Sequence, residues 1–122
     1  MFNVCLFEIP ADEVERARKF YGELFGWKTS EIPGPYWLIT TGEAEAGMGV
    51  LGGGMMKREA PQQQITIYIQ VPSVGDYVDK VKKLGGRVSF PKTAVPGLGY
   101  YALCLDPENN GFGIWEVNPQ AK

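Results

Sequence analysis

The chain has 122 residues, 44% of them hydrophobic and 21% charged, which predicts one well-packed domain and leaves too little length for two ordinary ones. A net charge of −2 offers no basic surface for a phosphate backbone, no apolar run is long enough to span a membrane, and the N-terminus lacks a signal-peptide pattern. We therefore expect a cytoplasmic protein that binds neither nucleic acid nor membrane.

The sequence contains no histidine, which is its most restrictive feature. Histidine is the commonest general base near neutral pH and the commonest ligand of transition metals. Its absence excludes serine and cysteine triads that use histidine, as well as the usual catalytic zinc sites. Cys5 and Cys104 lie in strand-like apolar runs and are expected as core thiols, not as a disulfide or zinc ligands.

The first half of the chain has the pattern of a strand, a helix and three further strands. A strand over residues 3–9 is predicted to end at Pro10, and a helix to follow with Asp12 as its N-cap and Gly26 as its stop. Three- and four-residue spacing predicts the buried stripe of this helix as Val14, Ala17, Tyr21 and Leu24. The further strands are predicted over residues 27–32, 36–41 and 46–51.

A glycine-rich segment near the midpoint is predicted to be a flexible linker. It opens with three glycines at 52–54, and Lys57 is not followed by the Ser or Thr of a phosphate-binding loop. The predicted boundaries are module one at about 1–52, the linker at about 53–62 and module two at about 63–119 of a single domain.

The second half repeats the order of the first. A strand over residues 65–71 precedes a helix that Ser73 can cap, with Val74, Val78 and Val81 on one face. Three strands are then predicted over residues 87–90, 99–105 and 111–117.

Corresponding residues of the two halves are separated by nearly constant distances in the sequence. Ile9 precedes Val71 by 62 residues, Leu24 precedes Leu84 by 60, and Tyr36 precedes Tyr100 by 64. Such an offset indicates an internal duplication. The sequence thus predicts an α+β fold of two tandem βαβββ modules, which we expect to pair into a half-barrel sheet around a central cleft.

Glu116 is the unusual residue of the last predicted strand. Period-two alternation places it on one face with Phe112 and Ile114, which are apolar. A carboxylate on such a face has to be paired, hydrogen-bonded or bound to a ligand. The sequence leaves three roles open: a metal ligand, an anchor for a ligand or for catalysis, and a structural carboxylate.

Three motifs carry a resemblance to a known family. They are Phe7–Asp12 running on through Phe20–Trp27, then Lys83–Val88, and finally Asp106–Gly111 running on to Ile114–Glu116. With the duplication, they resemble the vicinal oxygen chelate superfamily of glyoxalase I, bleomycin-resistance proteins and extradiol dioxygenases.

The resemblance implies a divalent cation such as Mg, Mn, Ni or Zn, held by side chains on the first and last strands of each module. Matched position by position, those ligand sites fall on Leu6, near Thr66 and on Glu116, and the repeat offset of 64 subtracted from Glu116 places the fourth on Gly52. Since only Glu116 offers a strong metal ligand, we do not expect the family's usual metal site.

The remaining candidate residues are placed by alternation along the strands. Glu8 shares a face with Leu6, so Glu8 and Glu116 are interpreted as a candidate acid and base facing one cleft. A local structural role beside Pro10 stays open for Glu8. The candidate ligand-binding residues are Thr66, Tyr68, Gln70, Leu6, Tyr101 and Trp37.

Two hypotheses for the function follow. The first is a binder of a small, partly apolar molecule that does not depend on the usual metal site. The alternative is a glyoxalase-like lyase or isomerase that acts on a small carbonyl compound. The resemblance also implies a homodimer, without indicating which surface forms it.

Overall fold

The computed structural model describes residues 2–42 and 52–122. Two helices and eight strands are assigned in these ranges. Module one contains β1 Val4–Ala11, α1 Val14–Phe25, β2 Lys28–Ile32, β3 Tyr36–Thr40 and β4 Gly52–Lys57. Module two contains β5 Thr66–Gln70, α2 Val74–Lys83, β6 Arg87–Val95, β7 Gly99–Leu105 and β8 Gly111–Val117. The α+β class and the two βαβββ modules are thereby confirmed.

The chain divides into two compact units that follow the modules closely. One unit is Leu6–Ile65, and the other is Thr66–Lys122 together with residues 2–5. In module one the strands lie in the order β2-β3-β4-β1, with β1 parallel to β4 and the other neighbours antiparallel. In module two the order is β5-β8-β7-β6, again with one parallel pair, β5 and β8.

Helix α1 packs on one face of its own sheet. Val14, Ala17 and Tyr21 lie against a buried cluster that includes Ile9 and Met55, so three members of the predicted stripe are confirmed. The fourth is wrong, because Leu24 is 57% exposed. Apolar side chains of this helix therefore also lie on its outer surface.

The predicted N-cap of α1 is wrong by one residue, whereas its end is correct. Glu13 occupies the N-cap position and makes no side-chain hydrogen bond there, while the Asp12 carboxylate pairs with Arg58 at 3.0 Å. Gly26 has a φ of +74°, and its N–H donates to the carbonyl of Gly22 at 2.9 Å. Glycine adopts this left-handed conformation without the steric cost that other residues carry.

Helix α2 covers one face of the sheet of module two. Val74 is fully buried in a cluster with Val71, Ala102, Cys104 and Ile114, and Val78 and Val81 pack against that cluster. The Ser73 hydroxyl accepts a hydrogen bond from the N–H of Asp76 at 3.2 Å, which confirms the predicted cap. Both cysteines are free thiols, and burial raises the pKa of each.

The predicted linker is wrong over its first half, because Gly52–Lys57 form β4. The glycines make room for aromatic rings: a Cβ on Gly53 would lie 2.3 Å from the Phe7 ring, and one on Gly54 would lie 1.7 Å from the Tyr36 hydroxyl oxygen. A run of glycines was therefore mistaken for a flexible segment. The strand predicted over residues 46–51 lies outside the described residues.

Two strands end more than one residue beyond their predicted ends, and both contain proline. β1 continues through Pro10, which pairs with Met56 of β4, to Ala11. β6 extends to Val95 because Pro91 lies within the second of two register shifts of an edge strand, where a missing N–H is tolerated. Within the described ranges, neither helix has the length and apolarity to cross a bilayer.

Candidate functional site

The helix-free face of module two, meaning the sheet face turned away from α2, is the candidate site. Ile69, Val71 and Ile114 pack on the α2 side, so the residues that alternate with them point to the other face. On β5 these are Thr66, Tyr68 and Gln70, three of the predicted ligand-binding residues. The predicted grouping of these three side chains on one strand face agrees with this alternation.

Tyr68 is the most buried residue of β5 on this face, with 6% of its surface exposed. It pairs with Gly113 across the parallel β5–β8 ladder. A Cβ on Gly113 would lie 2.3 Å from the Cδ2 and Cε2 atoms of Tyr68, so the ring occupies the space above that glycine. The glycine allows the phenol ring to lie across the neighbouring strand.

Further aromatic side chains extend the same face. Register places Gln70, Trp115, Tyr101 and Thr93 in one row across the strands, next to the row of Tyr68, Gly113, Leu103 and Phe90. Phe90 and Tyr101 stack with ring centroids 5.9 Å apart and planes 11° apart. Phe90 is 44% exposed, and Trp115 and Tyr101 are half-buried. The face is thus an aromatic surface, without a charged side chain in these two rows.

Glu116 lies on the opposite, helix-covered face of module two. Its strand neighbour Ile114 is in the α2 core, and its Oε1 accepts a hydrogen bond from the backbone N–H of Val74 at 2.9 Å. Its Oε2 accepts from the Asn118 side chain at 3.4 Å. Val74 is the first residue of α2, where N–H groups lack helical partners and the dipole favours negative charge. The structural role, one of the three left open, is the one this geometry supports.

Glu8 lies on the helix-free face of module one, since Phe7 and Ile9 pack on the α1 side. Its Oε2 accepts a hydrogen bond from the Tyr36 hydroxyl at 2.8 Å. Burial, the nearby Glu8 charge and this hydrogen bond raise the pKa of Tyr36, in that order of size. The predicted acid–base pair consists of Glu8 and Glu116, and it requires both carboxylates to lie on helix-free faces. Glu116 does not meet that requirement.

The other predicted residues are divided between the faces. Leu6 is on the Glu8 face by alternation, and Tyr101 is on the aromatic face of module two. Trp37 is a correction: it packs against the α1 core, with the Arg18 guanidinium 5.6 Å from its ring centroid. It is part of the core of module one and does not line the helix-free face.

The ligand positions implied by the resemblance can be tested by the register within each module. Leu6 pairs with Gly52 in module one, and Tyr68, 62 residues after Leu6, pairs with Gly113 in module two. The position near Thr66 is therefore taken by Tyr68, and the last-strand residue that pairs with it is Gly113. Glu116 corresponds to Met55, which is fully buried on the helix side.

These four positions do not fit a metal ion. Leucine and glycine side chains have no donor atom, and a single neutral phenol does not replace carboxylates or imidazoles. In residues 2–42 and 52–122, no three Asp, Glu or Cys side chains are grouped closely enough to hold a cation.

A hollow of about 580 Å³ lies beside the end of β4 and is lined by Arg58, Asp12 and Glu59 among others. Arg58 donates to the Asp12 carboxylate and to the backbone carbonyls of Gln63 and Pro10. The guanidinium is thus engaged in holding the chain after β4. We therefore interpret Arg58 as a structural residue and not as part of an anion-binding site.

Four residues of the candidate faces were missed by the sequence reasoning. They are Trp115, Phe90, Gly113 and Tyr36. Trp115 was detectable, because it alternates with Ile114 and Glu116 along β8. Phe90 was hidden by the register shifts of β6, and the Tyr36 contact depends on a ring that crosses from β3 to β1.

Comparisons with known proteins agree with the architecture. Residues 3–114 match the model of the Glyoxalase/Bleomycin resistance protein/Dioxygenase superfamily. "Putative glyoxylase CFP32" of Mycobacterium tuberculosis is 31% identical over an alignment of 117 residues, and the alignment covers 91% of this chain and 44% of that protein. The chain therefore spans less than half the length of this relative. A glyoxylase-like domain-containing protein of Didymella fabae is 34% identical, with 88% of each chain covered.

A solved structure shows the same fold. Methylmalonyl-CoA epimerase in complex with methylmalonyl-CoA and NH4+ has a TM-score of 0.67 and 10% identity, covering 100% of this chain and 99% of the other. At that identity the likeness concerns the fold alone. The match of the family model over nearly the whole chain decides the relationship: the chain belongs to the Glyoxalase/Bleomycin resistance protein/Dioxygenase superfamily.

Proposed function

We propose that the protein binds a small, planar and partly apolar organic molecule on the helix-free face of module two, without a metal at the positions its family commonly uses. The observation that carries this is the aromatic surface formed by Tyr68, Tyr101, Trp115 and Phe90. Aromatic faces favour stacking with flat rings and bury large apolar areas.

The chemistry of this face indicates an uncharged ligand. Its two central rows contain no Lys, Arg, Asp or Glu, so a charged ring would lose hydration without gaining a partner. Gln70 is exposed beside Trp115 and offers both an amide donor and an acceptor. A flat molecule with a carbonyl or amide edge can stack on the rings and pair its edge with Gln70.

Titration with quinolin-2-one, a flat neutral amide, tests the proposal. The expected result is a saturable shift of the Trp115 indole N–H resonance in ¹⁵N NMR spectra, identified by its loss in Trp115→Phe. Cyclohexanecarboxamide, which has the amide but no flat ring, is expected to bind at least about tenfold more weakly because it cannot stack. Equal binding of the two probes would contradict a stacking site.

Two variants locate the site. Phe90→Ala should weaken quinolin-2-one binding about three- to tenfold, since one of the two stacked rings is removed. Leu98→Ala is the matched control, because Leu98 is 59% exposed in the turn before β7 and lies outside the aromatic rows. Equal losses in both variants would show that the shifts report nonspecific apolar contact.

The alternative, a glyoxalase-like lyase or isomerase, has one observation in its favour. Glu8 is oriented by the Tyr36 hydroxyl on the helix-free face of module one. An oriented carboxylate can remove a proton from carbon next to a carbonyl group and return it. Exchange of the α-protons of 1-phenylpropan-2-one in D₂O, followed by NMR, is expected to be accelerated by the protein and not by Glu8→Gln. Equal rates for the two proteins would end this alternative.

A further inference from the structure

A register shift in β6 brings Thr93 onto the same sheet face as Phe90. Phe90 pairs with Leu103 of β7. Thr93 is three residues further along β6, yet it pairs with Tyr101, which is only two residues from Leu103. In a regular strand, two residues that are three positions apart lie on opposite faces. A bulge of this kind turns a side chain to the other face, and bulges are over-represented next to active sites.

The contacts of the preceding residue support this direction for Thr93. The Nζ atom of Lys92 lies 4.3 Å from the centroid of the Tyr100 ring, and Tyr100 packs against the core under α2. Lys92 therefore points to the helix-covered face, and Thr93, the next residue, points to the helix-free face. Thr93 is half-buried there, at the end of the row that contains Tyr101 and Trp115.

The Thr93 hydroxyl is oriented as a hydrogen-bond acceptor for a ligand. Its own hydrogen is donated to the backbone carbonyl of Pro91 at 2.8 Å. A hydroxyl has one hydrogen and two acceptor lone pairs, so the oxygen can still accept after this donation. A ligand group that meets the Thr93 oxygen has to bring a hydrogen of its own.

The row through Trp115 and Tyr101 thus has a polar side chain at each end. Gln70 on β5 and Thr93 on β6 are separated by three strand spacings, or about 14 Å. Two hydrogen bonds of about 2.9 Å each leave about 8 Å between the polar atoms of a ligand that reaches both. Two fused six-membered rings with a polar group at each end have about this span.

We infer that Thr93 is a specificity residue of the proposed site, and that it selects ligands with a hydrogen-bond donor at the end opposite the edge that pairs with Gln70. The inference rests on the proposed function, because it requires the ligand to lie on Trp115 and Tyr101. It narrows the ligand class to flat molecules of two fused rings, with a carbonyl or amide at one end and a neutral N–H or O–H group at the other.

Two derivatives of quinolin-2-one test the inference. 6-Aminoquinolin-2-one has a neutral donor away from its amide, and 6-methylquinolin-2-one has a group of similar size without a donor. Followed by the indole N–H resonance of Trp115, the amino probe should bind about three- to tenfold more tightly, the value of one hydrogen bond. Equal affinities would overturn the inference and leave the proposed function standing. Binding of neither probe would overturn the proposed function, and the inference with it.

Three variants assign the preference to the Thr93 oxygen. Thr93→Val keeps the shape without the acceptor, so the amino probe should lose its advantage, and the methyl probe should bind within about twofold of its wild-type affinity. Thr93→Ser keeps the oxygen and should retain the preference. Lys92→Met is the matched control on the opposite face and should also retain it. A preference that persists in Thr93→Val, or that is lost in Thr93→Ser or Lys92→Met, would overturn the inference.

Discussion

The two modules have the same order of elements but use equivalent positions differently. In module one, Gly52 pairs with Leu6, and no described atom lies within 4 Å of the place where its Cβ would be. In module two, Gly113 pairs with Tyr68, whose ring fills that place. The same backbone arrangement thus leaves the space beside the glycine empty of described atoms in module one and holds a tyrosine ring there in module two. Side chains, and not the fold, decide where a ligand can bind.

The largest expected effect is the difference in stability that one added methyl group makes at Gly113 and at Gly52. Gly113→Ala should lower the free energy of unfolding by about 2–3 kcal/mol, because the new Cβ would lie 2.3 Å from two ring atoms of the buried Tyr68. Gly52→Ala should change it by less than about 0.5 kcal/mol, since nothing in the described part of the chain is displaced. Urea unfolding followed by circular dichroism measures both.

A third glycine, Gly54, separates the steric effect of an added methyl group from the backbone entropy that any Gly→Ala change removes from the unfolded chain. Gly54→Ala meets the far end of the Tyr36 side chain, which can rotate away, so the expected cost is about 1 kcal/mol and the Glu8–Tyr36 hydrogen bond is lost. If all three alanine variants had the same stability, the aromatic rings would not be the reason for the glycines.

The next effect concerns the Glu116 carboxylate at the start of α2. Glu116→Ala should cost about 1–2 kcal/mol, because the N–H of the buried residue Val74 loses its acceptor. Glu116→Gln should cost less than about 1 kcal/mol, since an amide oxygen can still accept. Both variants should bind quinolin-2-one within twofold of the wild type. Loss of binding at full stability would restore the interpretation of Glu116 as a site residue.

The order of elements could be predicted because periodicity, proline and glycine mark it locally. β7 and β8 agree with their predicted ranges, Ser73 caps the start of α2 as predicted, and Gly26 ends α1 as predicted. The error at β4 had a nonlocal cause. The glycines at 53 and 54 are covered by Phe7 and Tyr36, which are far away in the sequence. No local pattern separates such a strand from a flexible linker.

The site could be predicted only in part, for a similar reason. Alternation correctly grouped Glu116 with Phe112 and Ile114, but which face the helix covers depends on packing between elements. The same alternation that gave Tyr68 and Gln70 a common face could not show that Glu116 meets the N–H of Val74. The repeat offset of 64, which placed the module-one equivalent of Glu116 on Gly52, was also too large, since Gly52 and Gly113 are 61 residues apart. With the offset of 61 that equivalent is Met55, which is buried on the helix side.

Tyr36→Phe tests the hydrogen bond on the helix-free face of module one. Near neutral pH we expect a loss of about 1 kcal/mol, the net contribution of one hydrogen bond. The pKa of Tyr36 is raised in the folded state, so above about pH 10 the unfolded chain loses this proton first. The folded state then binds more protons, and the free energy of unfolding falls as the pH rises further. The fall between pH 10 and 11 should be shallower in Tyr36→Phe, because the other tyrosines titrate in both proteins.

The smallest expected effect is a stabilisation, obtained by giving α1 the kind of N-cap that α2 already has. Ser73 caps α2, whereas Glu13 at the N-cap of α1 has an extended backbone and no side-chain cap. Glu13→Ser should raise the free energy of unfolding by about 0.5 kcal/mol, since a hydroxyl can accept from an N–H that has no helical partner. The change also removes the exposed ion pair with Arg16, which contributes little. Glu13→Ala removes that ion pair without adding a cap, so a serine variant no more stable than the alanine variant would show that the first turn of α1 does not need one.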